Sequence, residues 1–229
     1  MIRVGHKGAD AIAPGNTLAS FDAALDAGVE MIEFDVLAER RDGSGELFVA
    51  HDHRKLRAVQ APTLAAVLAH LSSPPFAGTL LQLDLKQSGY EQRVLDALTA
   101  AGALERSFIS TTLWRSLQRL RRIAPELRIG WTVSAPPGVA RVPLVARLYS
   151  ALLARRAGER LRRGEVDALV AEWRLLTPAL VDAVRSAGGE IYVWTVDDVG
   201  EIRRLAALGV TGVITNDPRL FAQSADRAA

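Results

Sequence analysis

The chain has no cysteine, and only three of its 28 basic residues are lysine. The first absence excludes disulfides, thiol catalysis and any zinc or iron–sulfur centre held by sulfur. The second leaves 25 arginines and makes each lysine worth locating. Aromatic residues are scarce at 6%, and no uncharged apolar run reaches the about 18 residues that a membrane-spanning helix needs. The start of the chain reads as a strand rather than a signal peptide, so a cytoplasmic protein is expected. Charge of one sign is missing too. Basic and acidic residues nearly cancel to a net +2, unlike the basic excess of a nucleic-acid binder. No Gly-rich dinucleotide fingerprint follows a strand, which disfavours a doubly wound open sheet.

What is present is 229 residues with 49% hydrophobic and 24% charged, enough for one full globular core. Short apolar runs at 2–6, 30–36, 79–85, 107–111, 128–133, 167–171, 190–196 and 210–215 alternate with amphipathic stretches. The latter include Thr17–Ala27, Thr63–Leu71, Tyr90–Ala101, Leu113–Ile123, Pro178–Ala187 and Val199–Leu208. Asn16 stands where an N-cap belongs, and Gly28, Gly102, Gly188 and Gly209 sit where helices end. Strand–helix alternation repeated eight times predicts a (β/α)8 TIM barrel, a single domain over residues 1–229. Two segments stand out. Residues 46–53 read as a short extra strand. Residues 138–163 read as a basic amphipathic insertion, in which 141–163 holds seven arginines against Glu159.

In such a barrel the chemistry belongs at the C-terminal ends of the strands. Those ends read His6-Lys7-Gly8, Glu33-Phe34-Asp35, His51-Asp52 and Asp84-Leu85-Lys86. Side chains alternate along a strand, so Glu33 and Asp35 share one side, as do Asp84 and Lys86, while Ile32, Phe34 and Val36 take the other. Three carboxylates against Lys86 leave two negative charges at the mouth. An ion pair alone does not balance them, whereas a divalent cation does. An all-oxygen set favours Mg²⁺ or Ca²⁺ over zinc. Neighbouring strands about 4.8 Å apart let one ion reach Glu33, Asp35 and Asp84 together. Metal plus lysine suits an anion, above all a phosphate. His6 and His51 flank it as candidates for proton transfer, while His53 and His70 lack such surroundings.

His6-Lys7-Gly8, Asn16-Thr17, Glu33-Phe34-Asp35, His51-Asp52, Tyr192-Val193-Trp194-Thr195-Val196 and Gly209–Thr215, in that order, resemble the glycerophosphodiester phosphodiesterase family. The likeness covers nearly the whole chain. It implies His6 and His51 as catalytic acid and base, and Glu33, Asp35 and Asp84 as ligands of a divalent cation. It further implies Lys7, Lys86, Asn16 and Trp194 as substrate contacts. Lys7 stands at the family's arginine and lacks its bidentate fork. Gly15 replaces a glutamate. The Leu-Asp-Leu-Lys form around Asp84 is similar to the related sphingomyelinase D type. About ten residues after His51 replace the usual subdomain, which predicts an open site. The expected activity is metal-dependent hydrolysis of glycerophosphodiesters to glycerol 3-phosphate and an alcohol. The alternatives are lysophospholipase D action on lysophospholipids at a membrane, and a catalytically weak phosphate- or lipid-binding relative. Expected partners are a small or lysolipid phosphodiester and an anionic membrane met peripherally through 141–163, with no nucleic acid.

Overall fold

A computed structural model describes residues 1–58, 60–136, 138 and 143–225. Its strands are β1 (Ile2–His6), β2 (Met31–Ala38), β3 (Leu47–Val49), β4 (Leu80–Leu85), β5 (Ser107–Thr111), β6 (Arg128–Val133), β7 (Ala168–Glu172), β8 (Glu190–Trp194) and β9 (Gly212–Thr215). The intervening helices are α1 (Leu18–Asp26), α2 (His53–Ala58), α3 (Leu64–Leu71), α4 (Glu91–Ala100), α5 (Trp114–Ile123), α6 (Pro143–Arg162), α7 (Pro178–Ser186), α8 (Val199–Leu208) and α9 (Arg219–Ala225). All strands except β3 pair in parallel, and β1 bonds to both β2 and β9. The sheet therefore closes on itself. The protein is a (β/α)8 TIM barrel. The eight barrel strands coincide with the eight apolar runs of the sequence. The extra strand is shorter than expected: only Leu47–Val49 pairs, antiparallel to the outer half of β2.

Alternation divides each strand between two cores. Ile32, Phe34, Val36, Leu81, Leu83 and Leu85 face outward under the helices. The inward set at the closed end is Val4, Met31, Phe108, Ala168, Val170, Tyr192 and Ile214. Small and large residues are matched there. Phe108 and Tyr192 stack with ring centroids 5.2 Å apart. Gly130 and Gly212 leave room for them: a Cβ on Gly130 would come within 2.4 Å of Phe108, and one on Gly212 within 2.6 Å of Tyr192. Gly130→Ala is therefore expected to overpack the barrel interior and cost about 1–3 kcal/mol. A lower urea midpoint with an unchanged m-value is the measurement that checks it. An unchanged midpoint would contradict it.

Two expectations are corrected at the helix ends. Asn16 does not cap α1. Thr17 does, accepting from the amide of Ser20 in a reciprocal capping box, because Asn16 has turned inward with φ of 63°. Nor does the described part of 138–163 read as an insertion. α6 is the crossover helix that carries the chain from β6 to β7, and it packs along α7. Arg160, counted in the basic stretch, is only partly exposed. Its guanidinium lies 3.5 Å from the ring centre of Trp114 and 4.0 Å from that of Trp131, wedged between α5 and β6. Residues 139–142 of the stretch, Arg141 among them, fall outside the described residues. Gly28, Gly102, Gly188 and Gly209 all have positive φ just past helices, as expected. Among the described residues no helix is long and apolar enough to cross a membrane.

Candidate active site

Register assembles the site. Parallel pairing sets His6 beside Glu33 on β1 and β2, Asp35 beside Asp84 on β2 and β4, and Asp84 beside Ser110 on β5. All are inward positions at the C-terminal ends. Glu33, Asp35 and Asp84 are buried and can each offer an oxygen within 4.8 Å of the others. The Lys86 ammonium bridges two of them, 2.7 Å from Asp35 Oδ1 and bonded also to Asp84 Oδ2. Asp84 Oδ1 accepts from Ser110 Oγ at 2.9 Å and from Thr132 Oγ1 at 3.2 Å. Glu33, Asp84, Lys86 and Thr132 line a cavity of about 280 Å³, around which His6, Lys7, His51 and Trp194 also stand, while Asp35 and Ser110 lie buried behind it.

The electrostatics follow from burial and proximity. Burial, with Asp35 close by, pushes the Glu33 carboxyl up to about 8. Burial would raise Asp35 as well, but the ammonium groups of Lys86 and Lys7 outweigh it and hold Asp35 below the usual carboxylate range. Burial opposes the charge on Lys86, yet Asp84, Asp35 and Glu33 overcome it and raise its pKa. Glu33 has no ammonium in ion-pair contact, which is why burial and Asp35 raise it so far, and the raised value marks the point where the cluster lacks a positive partner. Three oxygen donors of one hard chemical class, this close together, fit a divalent cation.

The β1–α1 loop is held in an unusual conformation. Lys7 and Asn16 are non-glycine residues with positive φ, at 51° and 63°. The Lys7 carbonyl is pinned by Ser20 Oγ at 2.7 Å and by the Asn16 amide at 2.9 Å. The Lys7 amide donates to Glu33 Oε2 at 2.9 Å, and its ammonium stands 4.0 Å from Asp35 Oδ2. Asn16 reads Asp35 with both ends of its amide: Nδ2 donates to Oδ2 at 2.8 Å, and Oδ1 accepts from the Asp35 amide at 3.1 Å. Here Asn16 orients a carboxylate. The glycine at 15 also has a physical reason. Asp10 Oδ1 accepts from the Gly15 amide at 2.7 Å, and a Cβ on Gly15 would sit 2.5 Å from that oxygen. Asp10 thus fills the space that a side chain at 15 would need.

The two histidines differ. His6 Nδ1 lies 2.6 Å from Asn216 Oδ1. Asn216 donates its Nδ2 to Asp197 Oδ2 at 2.6 Å and its backbone amide to Asp197 Oδ1 at 2.8 Å. With the amide nitrogen engaged by Asp197, Oδ1 is the acceptor and His6 Nδ1 the donor. The lone pair of His6 is then on Nε2, 3.9 Å from Glu33 Oε2 and facing the cavity. Burial, helped by the charge of Lys7, lowers the His6 pKa below its ordinary 6.5. His51 is half-exposed, with Nδ1 3.3 Å from Asp52 Oδ2. The Lys55 amide, followed by His51, holds the Asp52 carboxyl down at about 2. His70 pairs with Asp22 on the outer surface, 2.7 Å away and remote from the mouth. Asn216 and Asp197 are absent from the sequence-based site. Asn216 directly follows β9, so the strand-end rule that found the others applies to it too.

Fold and site define a TIM-barrel enzyme, with acid–base groups and cationic side chains gathered around a carboxylate cluster. The model of the glycerophosphoryl diester phosphodiesterase family matches residues 6–73 and 81–220, and the chain belongs to that family. It is 25% identical over 250 aligned residues to the glycerophosphodiester phosphodiesterase of Caldanaerobacter subterraneus subsp. tengcongensis, covering 94% of this chain and 93% of that one. Among solved structures it resembles a protein of Silicibacter pomeroyi described as a putative glycerophosphoryl diester phosphodiesterase, with TM-score 0.82, 21% identity, and coverage of 100% of this chain and 94% of the other. It also resembles an Oleispira antarctica phosphodiesterase solved in complex with the product sn-glycerol-3-phosphate. That likeness has TM-score 0.74 and 21% identity, and covers 99% of this chain and 97% of the other.

Proposed function

We propose that the protein hydrolyses glycerophosphodiesters to glycerol 3-phosphate and an alcohol, with His6 as base and His51 as acid. The observation that carries this is the Asp197–Asn216–His6 chain, which leaves an unprotonated Nε2 facing a cavity built for an anion. The phosphodiester lies over Lys86 and Lys7, whose ammonium groups meet its oxygens, with Trp194 on the opposite wall. Water gives its proton to His6 Nε2 as its oxygen bonds to phosphorus. The bond from phosphorus to the alcohol oxygen breaks, and His51 protonates that oxygen as it leaves. Asp52 Oδ2, 3.3 Å from His51 Nδ1, orients the His51 ring. Mg²⁺ or Ca²⁺, held by Glu33, Asp35 and Asp84, would supply positive charge against the oxygens of the phosphoryl group. Asn16 keeps Asp35 aimed at that position.

A second reading, lysophospholipase D action, is favoured by the apolar side chains exposed at the start of α6, on the rim of the mouth. One assay separates the two. Glycerophosphocholine and lysophosphatidylcholine are offered in turn and released choline is measured. The first reading expects the higher kcat/KM on glycerophosphocholine. A higher value on the acylated substrate selects the second, and no turnover of either overturns both.

A further inference from the structure

The helix α6 leaves the barrel at the C-terminal face and runs back along its side. Its first three turns expose Leu144 at 68%, Val145 at 43%, Leu148 at 64% and Leu152 at 45%. At about 100° per residue these four lie within roughly 100° of arc, a single stripe. Exposed Arg155 and Arg162 continue the same arc, and exposed Arg156 lies about 20° beyond its edge. The opposite face, with Leu153, Ala154, Ala157 and Leu161, is buried against the barrel. Beside the stripe, a cleft of about 530 Å³ between α6 and the start of α7 is lined by Arg147 and Arg174. Exposed Ile12 lies in the loop after β1, the strand diametrically across the barrel from β6. Both sides of the mouth thus carry apolar side chains.

We propose that this face docks the protein, mouth first, on an anionic lipid surface. The order of residues along α6 fits a bilayer. Leu148 and Arg155 are seven residues apart, about 10 Å along a helix. Leucines that enter the boundary of the acyl region, about 5–10 Å deep, therefore set the arginines level with lipid phosphates. A second copy of the chain suits the face poorly. In a two-fold contact with the helices parallel, arginines would be brought against arginines, and one with the helices antiparallel on the leucines would leave the arginines at its two ends without an anionic partner from the patch. The inference deepens the phosphodiesterase reading and rests on it for its purpose: a docked mouth faces phosphodiesters that carry an acyl chain.

The test is sedimentation of the full chain with vesicles of phosphatidylcholine alone and of phosphatidylcholine with phosphatidylserine. Binding is expected to the anionic vesicles only, and to fall steeply with salt. Leu144→Ser with Leu148→Ser is expected to weaken it about tenfold per leucine. Arg155→Glu with Arg156→Glu is expected to weaken it at least fivefold per arginine. Turnover of soluble glycerophosphocholine should be unchanged in all, because none of these residues lines the cavity. That separates a failed docking face from a failed enzymatic assignment. The proposal is overturned by absent or salt-insensitive binding, or by variants that bind like the parent. It is also overturned by a dimer in sedimentation velocity that the leucine variant dissolves.

Discussion

His6→Ala is expected to lower kcat/KM on glycerophosphocholine by about 10²–10⁴-fold, the contribution of a well-placed proton-transfer group. The protein should remain folded, since His6 anchors no strand pairing through its side chain. A more discriminating result is expected from Asn216→Asp. A carboxylate at 216, next to Asp197, cannot donate to it as the amide does. It would instead hold a proton on His6 and raise the pKa that burial and Lys7 now lower. In the parent, the low His6 pKa keeps Nε2 unprotonated below the usual imidazole range. The acidic limb of the kcat/KM profile should therefore lie below pH 6.5, and Asn216→Asp should move it upward. A variant whose limb stays in place while activity falls would assign Asn216 a purely structural part. His6→Ala with near-normal turnover would remove His6 from the reaction.

The barrel was legible because its causes are local. Period-two alternation, helix caps and glycine stops lie within a few residues of each other. The core of the site was legible for the same reason, since Glu33 and Asp35 share a strand, as do Asp84 and Lys86. The missed features depend on contacts far apart in the chain. Asn16 looks like a cap until Asp35, 19 residues on, turns its side chain inward. Asn216 meets His6 across 210 residues, a pairing set only when β9 closes against β1. Arg160 counts as surface charge until Trp114 and Trp131 enclose it. The stretch around α6 looked like an insertion because its exposed leucines and arginines obscure the buried stripe of an ordinary crossover helix.

Chelation with EDTA is expected to reduce turnover to background, with recovery on adding Mg²⁺ or Ca²⁺. Three carboxylates share too little positive charge to hold and polarise a phosphodiester by themselves. Activity is not the only readout. Cation binding to the folded state alone should stabilise it by about 2.7 kcal/mol at a hundredfold excess over Kd, visible as a higher Tm. Asp35→Asn should erase most of that gain, because Asp35 is one of the three donors and the carboxylate Asn16 keeps in place. Lys86 gives the sharpest contrast. Its ammonium bridges Asp35 and Asp84, so under the proposed mechanism it would compete with a cation for their oxygens as well as meet the phosphate. Lys86→Met should therefore keep or strengthen the cation-induced rise in Tm while raising KM for the phosphodiester. If Lys86→Met abolished the rise in Tm, the lysine would be organising the carboxylates rather than competing for them. Full activity in EDTA, with no change in Tm on adding either cation, would leave Glu33, Asp35 and Asp84 as an ion-pair network around Lys86.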